Sequence, residues 1–422
     1  MSNLLGKKTK IALTDYPYLK DIENRLFMAD LSPFEVDLLL EILNSSLKIP
    51  ISDLQQSLHC TQAKLITALK KISKTGLVAI QNDAVFVDKE KRKYFEFHIQ
   101  KFDNDFTPGL DFLQGHLSKL PISLLPVWYN VPKTTDNIFA SLIEKFFLTP
   151  KIYERYLREV VFGDEILDGI VQELFSADQF CLTCDDLKKK YHLSKEKLEE
   201  IILFLELHFV CALSYRKEAN SWKGYITPLH EWHEFLLFQS KMLPKPIKAV
   251  KEIKRSSSED FSFLFDFQKR LKKKPKSEDL LMLDGMSVDQ FLALPLQDQA
   301  MCLYRQALAQ YAHADDERYD EIERDFREVE KSLKKVLNLG WIYFDDFMKG
   351  LTCHVGQSEP VTLKKMGTKW KYVLPGYSEQ DAKFVKLVIF DLLTRGGMIA
   401  TGTHAGKSCF CVTAFGSIAL GD

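Results

Sequence analysis

Three short stretches of this 422-residue chain carry residue types at spacings that enzymes use, and none completes its chemistry. Gly402-Thr-His-Ala-Gly406-Lys407-Ser408 has the glycines, lysine and hydroxyl of a phosphate-cradling loop. That loop needs four residues between its glycines, and here there are three. The 14 residues after Ser408 leave no room for the rest of a nucleotide-binding sheet, so the stretch is expected to be a hairpin tip where Lys407 touches a phosphate. Cys181-Leu-Thr-Cys184 is a single ligand pair, and Cys409-Phe-Cys411 lies far along the chain. Zinc needs four converging ligands, and only His192 and Cys211 in the same region offer to complete a set. No Ser-His-Asp or paired-carboxylate arrangement follows from spacing. The expectation is a chain with no catalytic residues, no metal and no cofactor.

Charge offers a different chemistry. Between residues 62 and 74, Leu65, Leu69 and Ile72 make an apolar stripe at helical spacing, and the opposite stripe holds Lys64, Thr67, Lys71 and Lys74. Gln62 stands at the amino-terminal end and Lys70 on the flank. Lysines give salt-dependent contacts to phosphate, while Gln and Thr are types that reach base edges. The bland alternative is that these lysines only keep an exposed helix soluble. Two further basic stretches stand out. One is Lys89-Glu-Lys91-Arg92-Lys93. The other is residues 241–276, with twelve Lys or Arg against four Asp or Glu, including Lys269, Arg270, Lys272, Lys273 and Lys274. Phe261, Phe263, Phe265 and Phe267 interleave with the latter and read better as core anchors than as a base-stacking platform.

The elements that must position these residues are legible because one 29-residue block occurs twice. Residues 52–80 and 185–213 align without a gap at an offset of 133. Asp53, Leu54, His59, Lys64, Leu65 and Ala79 recur as Asp186, Leu187, His192, Lys197, Leu198 and Ala212, and Thr61 becomes Ser194. Each block reads as a short helix capped in the first copy by Ser52, a turn holding the histidine, an N-capping Thr or Ser, a longer helix and a β run. That is the order of a winged helix-turn-helix. In the first copy Ser32-Pro33 starts a preceding helix, Gly76 stops the long one, and Gln81-Asn82-Asp83 joins two strands as the wing. In the second copy a longer wing leads to a strand at 223–227. There the outward stripe becomes Lys197, Glu200, Phe204 and Leu207, and residues 165–230 hold eleven acids and eight bases. Phe204 and Leu207 therefore point to a partner protein or another domain, not to a phosphate backbone.

A third winged helix is expected in pieces: a first helix at 331–339, a strand at 340–343, helices at 344–351 and 379–394, and wing strands at 398–401 and 409–413, interrupted by an insertion at 352–378. The ending FVKLVIFDLLTRGGMIATGTHAGKSCFCVTAFGSIAL, preceded by GWIYFDDFMKGL, resembles the helicase-associated winged-helix proteins of bacteria. Members of that family end with a helix, a Gly-centred turn, a strand pair and a Thr-x-x-Gly step into a last short helix. Thr413-Ala-Phe-Gly416 fits that step, and Ile226-Thr227-Pro228-Leu229 echoes it. The resemblance covers about 90 C-terminal residues. It implies binding to DNA or to partner proteins, often without an ATPase of its own, and it does not fix a substrate.

Composition sets the outer bounds. Apolar residues make up 46% of the chain, enough for real cores, and the length suits two to four domains. The formal net charge is −1, so attraction to nucleic acid must come from local asymmetry. Eight scattered cysteines suit a reducing compartment. The opening MSNLLGKKTK has no apolar run of a signal peptide, and no stretch approaches a membrane span. The expectation is a cytoplasmic, soluble protein, mainly α with small β wings, whose tandem winged helices are joined by helical connectors. Its expected parts are a first winged helix at 30–100, a helical connector at 101–164, a second winged helix at 165–230, a basic linker and helical region at 231–320 and the third winged helix at 321–422. The expected function is non-catalytic binding of duplex DNA, transcriptional or chromosome-associated, through Thr61, Gln62, Lys64, Thr67, Lys70, Lys71, Lys74, Asn82 and the two basic runs. The alternative is an interaction scaffold whose winged helices dock protein partners.

Overall fold

A computed structural model describes residues 10–132, 137–256, 262–283, 285–313 and 319–421. The opening residues 1–9, Ser257, Ser258, Phe261 and the acidic residues 315–317 lie outside the described residues. So do the side chains of Phe263, Ala307, Leu308 and Tyr311. The protein is mainly helical with small sheets. It divides into two units, residues 1–235 with 363–371, and residues 236–362 with 372–422.

The first unit opens with α1 (Tyr18–Ala29) and α2 (Pro33–Asn44). Ser32 and Glu35 close a reciprocal capping box at the start of α2, with Pro33 at the first helical position. Then come β1 (Lys48–Pro50), α3 (Ile51–Ser57), α4 (Gln62–Ser73), β2 (Val78–Gln81), β3 (Ala84–Val87) and α5 (Lys89–His98). Pro50, not Ser52, is the residue before α3, and the Ser52 hydroxyl donates to Asp53 instead. The sheet order is β1-β3-β2, with Asn82 and Asp83 both at positive φ in the hairpin turn. A helical connector follows: α6 (Leu110–Leu117), α7 (Leu124–Trp128), α8 (Ile138–Leu142) running into a π turn at Ile143–Phe147, and α9 (Pro150–Glu159).

The second copy of the repeat comprises α10 (Glu165–Ser176), β4 (Leu182–Thr183), α11 (Cys184–Lys190), α12 (Lys195–Leu207), β5 (Ala212–Glu218) and β6 (Ser221–Thr227), in sheet order β4-β6-β5. The internal repeat holds residue by residue. At the offset of 133, α3 maps onto α11 end to end, and Thr61 and Ser194 cap their long helices by accepting the N–H of Lys64 and of Lys197. His59 and His192 sit at φ 47° and 51° in the turn before each cap. Both copies contribute to one core, with Leu38, Leu54 and Leu69 joined to Leu187, Ile202 and Leu213.

α13 (His230–Lys241) leads into the second unit, followed by β7 (Lys254–Arg255), α14 (Ser262–Lys273), α15 (Ser277–Leu281), α16 (Val288–Ala293), α17 (Leu296–His313) and α18 (Tyr319–Leu333). The C-terminal portion then runs β8 (Ile342–Tyr343), α19 (Phe344–Lys349), a hairpin of β9 (Thr362–Met366) and β10 (Lys369–Val373), α20 (Glu379–Leu387), a π turn at Val388–Leu392, α21 (Leu393–Arg395), β11 (Ile399–His404), β12 (Lys407–Val412) and α22 (Ala414–Gly421). The first helix of this portion is α18, earlier than the 331–339 read from sequence. The insertion holds the β9–β10 hairpin.

The sheet of this unit, β7-β11-β12-β8, has four strands. Ile399 and Phe410 on its inner face meet Val385, Ile389 and Leu393 in a second core. The Thr-x-x-Gly step has a direct physical cause. The buried Thr413 hydroxyl donates to Gly397 O at 2.7 Å and accepts the Gly416 N–H at 3.0 Å, which folds the chain from strand into α22. A side chain at 416 would drive a Cβ to 2.1 Å from Met398 O, so only glycine fits.

Candidate nucleic-acid interface

The helix with the charge pattern of a nucleic-acid contact is α4. It has no acidic residue, and Leu65, Ala68, Leu69 and Ile72 on one face are buried against the core. Thr61, Gln62, Lys64, Thr67, Lys70 and, just past its end, Lys74 are exposed. The Lys64 ammonium lies 4.0 Å from the centroid of the Phe34 ring, which steadies it without burying it. Neither Lys70 nor Lys74 is ion-paired among the described residues. Thr67 donates its hydroxyl to Ala63 O at 2.8 Å, leaving oxygen lone pairs toward solvent.

Four expected contact residues are engaged elsewhere. The Lys71 ammonium is half-buried, 2.7 Å from the Glu35 carboxylate and 2.7 Å from Asp30 O. Burial raises the Glu35 pKa, but its bonds from Lys71 and Ser32 outweigh that and hold it below the ordinary carboxylate range. Lys71 thus ties α4 to the start of α2, a role its place in the outward stripe did not reveal. The run 89–93 forms the start of α5, capped by Asp88. There Arg92 donates to Leu43 O and, at 2.9 Å, to Ser45 O, closing the carbonyl end of α2. Lys91 donates to Thr75 O at 3.3 Å, and Lys93 pairs with Glu90 at 3.0 Å, exposed. Asn82 is exposed at the hairpin tip, beside Asp83. Lys48 on β1, 5.5 Å from the ring centre of the exposed Phe86, is a cation the charge-run reading passed over.

The second copy differs at the same positions. Lys70, Lys71 and Lys74 correspond to Leu203, Phe204 and Leu207, and the second half of α12, from Ile201 to Leu207, is apolar but for Glu206, the mark of a buried segment. Leu207 is fully buried, and Phe204 is half-buried against Phe162 and His208 at ring distances of 5.4 and 4.2 Å. Leu207 is closed to any partner by the chain itself, and Phe204 is partly covered by Phe162 and His208. The connector closes the carbonyl end of α12 with three tyrosines: Tyr129 donates to Leu207 O at 2.8 Å, Tyr156 to His208 O at 2.9 Å, and Tyr153 to Phe209 O. Phe209 takes the place of Gly76, and both sit at positive φ, 60° and 74°. Burial pushes the His208 pKa down to about 4.

Residues 241–276 are not one flexible run. They contain β7 and α14, both in the second unit, whereas α4 is in the first. On α14 Leu264, Phe267 and Leu271 are buried, and Phe265 is exposed rather than a core anchor. Lys269 pairs with Asp266 at 3.2 Å, and Arg270 pairs with Asp279 at 3.3 Å and covers the Phe267 ring. Lys272, Lys273 and Lys274 are exposed.

Among the described residues no group of three or more His, Cys, Asp or Glu side chains is arranged to hold a metal ion. Cys184 is packed against Gly224, and burial pushes its thiol pKa up. No helix among the described residues is long and apolar enough to cross a membrane. A cavity of about 540 Å³ opens beside α9, lined by Trp128, Tyr129, Phe146, Arg155 and Tyr156. Set beside known proteins, the chain matches no family model, no curated protein and no solved structure.

Proposed function

We propose that this protein binds duplex DNA without catalysis, using winged helices. The first copy lays α4 in the major groove and its β2–β3 hairpin along the backbone. The observation that carries the reading is the exposed face of α4, where Gln62, Lys64, Thr67, Lys70 and Lys74 stand together on a helix free of carboxylates. Lys64, Lys70 and Lys74 meet phosphates, and Gln62 and Thr67 face base edges. Lys71 is assigned to the fold and not to the DNA. The second copy, its long helix covered by α1 and the connector, organises the first unit. Residues 272–274 add exposed charge in the second unit.

The test is a titration of a labelled duplex with the purified protein across a salt series. Binding is expected to weaken steeply with salt. A Lys64→Glu, Lys70→Glu variant is expected to lower the slope of log affinity against log salt by roughly 2, about one for each phosphate left without its lysine. Absence of binding by the wild type at low salt overturns the proposal and gives this face to a protein partner.

A further inference from the structure

Residues 244–256, read from sequence as a linker, form a strap laid on the outer face of the sheet in the second unit. Pro244, Ile247 and Ile253 are buried, whereas Lys245, Lys248, Lys251 and Lys254 are exposed. The lysines recur at three-residue spacing, and the buried residues keep the same spacing except at the exposed Val250, where the chain makes a 3-10 turn over Val250–Glu252; one row of the strap faces inward and the other outward. The inward row packs with Trp341, Ala400, Cys409 and Cys411 in a small core of its own. Two backbone bonds fasten the strap, from Ile247 N–H to Trp341 O at 2.7 Å and from Ser256 N–H to Thr401 O at 2.8 Å. Between them β7 pairs with β11, placing Lys254 opposite Thr403 and Arg255 opposite Gly402. A Cβ at 402 would lie 2.9 Å from Lys254 O and from the Ile253 side chain, so glycine is what lets the strap come this close.

The result is a fixed row of like charge. Residues 241–256 hold five lysines and one arginine against a single acid, Glu252, which lies 3.7 Å from His404. None of the four strap lysines is ion-paired among the described residues, and Lys407 adds an exposed ammonium at the tip of the β11–β12 hairpin. Four ammonium groups held on a pinned backbone repel one another and add nothing to the core beneath them. A polyanion of regular charge spacing relieves that repulsion and releases its own counterions on binding. Ammonium groups act as point charges with no planar fork to read a base, so they meet backbone phosphate and do not read sequence.

We propose that the strap lysines Lys245, Lys248, Lys251 and Lys254, with Lys407, form a second, sequence-independent phosphate track for duplex DNA, beside the hairpin of the second unit. The proposal rests on the DNA-binding reading above and adds a site to it. A full-length Lys248→Glu, Lys251→Glu, Lys254→Glu variant is compared with the wild type and with the Lys64→Glu, Lys70→Glu variant on two unrelated duplexes over a salt series. The strap variant is expected to lose affinity equally for both duplexes and to flatten the salt slope by roughly 2 to 3, with an unchanged thermal melt. A strap variant that keeps the wild-type affinity and slope, while the α4 variant loses them, overturns the track and leaves the α4 reading standing. Loss in the strap variant alone supports the track and removes the α4 reading. A wild type that fails to bind either duplex overturns both.

Discussion

The Arg25 guanidinium of α1 lies 2.7 Å from the Glu206 carboxylate of α12, and both side chains are almost wholly buried. Arg25 also reaches Glu199 at 2.8 Å, and Glu206 takes a bond from Lys101 at 3.3 Å and the Leu213 N–H at 2.9 Å. These carboxylates stand where the first copy has Ile66 and Ser73. The second copy's long helix has thereby become a buried strut, clamped by charge as well as by packing.

Removing one partner of such a pair leaves a bare charge in the interior. Arg25→Met is expected to cost about 3–5 kcal/mol in urea unfolding, and adding Glu206→Gln is expected to recover part of the loss. Burial alone would raise the Glu206 pKa, but the Arg25 and Lys101 charges outweigh it and hold the carboxyl well below the ordinary range. A depressed folded pKa contributes stability that is present above the unfolded value of 4.5 and is lost as pH falls below it. The wild type is therefore expected to weaken under acid through this group, and a Glu206→Gln variant to show a flatter acid limb.

Glu231 has the opposite sign. Burial pushes its pKa up to about 7, although both oxygens accept the Leu110 N–H at 3.0 and 3.1 Å at the start of α6. With the folded pKa above the unfolded 4.5, its contribution is full below 4.5 and is lost as pH rises through about 7. Glu231→Gln is expected to remove a decline on the order of 2–3 kcal/mol between those limits, read from unfolding midpoints across pH.

Lys71 separates fold from binding. Because its ammonium is held by Glu35 and Asp30 O, Lys71→Met is expected to cost about 0.5–1 kcal/mol of stability and to leave the salt slope of DNA binding unchanged. A slope reduced by one would return Lys71 to the DNA-facing set.

Thr413 is the clamp at the end of the second unit. Thr413→Val keeps the shape but removes both hydroxyl bonds, leaving the Gly416 N–H without its acceptor, and is expected to cost about 2 kcal/mol. Thr413→Ser, which restores the hydroxyl, is expected to recover most of it. Equal losses in the two variants would locate the effect in methyl packing instead.

The repeat was legible because helix caps, turn residues and apolar spacing are local properties: Thr61 and Ser194, His59 and His192, Leu65 and Leu198 take the same places in both copies. The basic runs were not legible as sites, because charge along the chain does not say what stands across from it. Arg92 was indistinguishable in sequence from Lys93, yet one closes the end of α2 and the other faces solvent. The apolar second half of α12 was visible in the letters Ile-Ile-Leu-Phe-Leu-Glu-Leu, but not whether a partner or another part of the chain meets it; α1 packs on it and three connector tyrosines close its carbonyl end.

By itself the amino-acid order determined the elements, their caps and the duplicated block, since each depends on neighbours a few residues away. Tertiary structure alone decided which cations are free. Lys71 met Glu35, Arg92 met two carbonyls, and the supposed linker became a strap because Gly402 left room for Lys254 to pair beside it. Partners brought together from distant positions set the charge a surface presents, and no local pattern encodes that meeting.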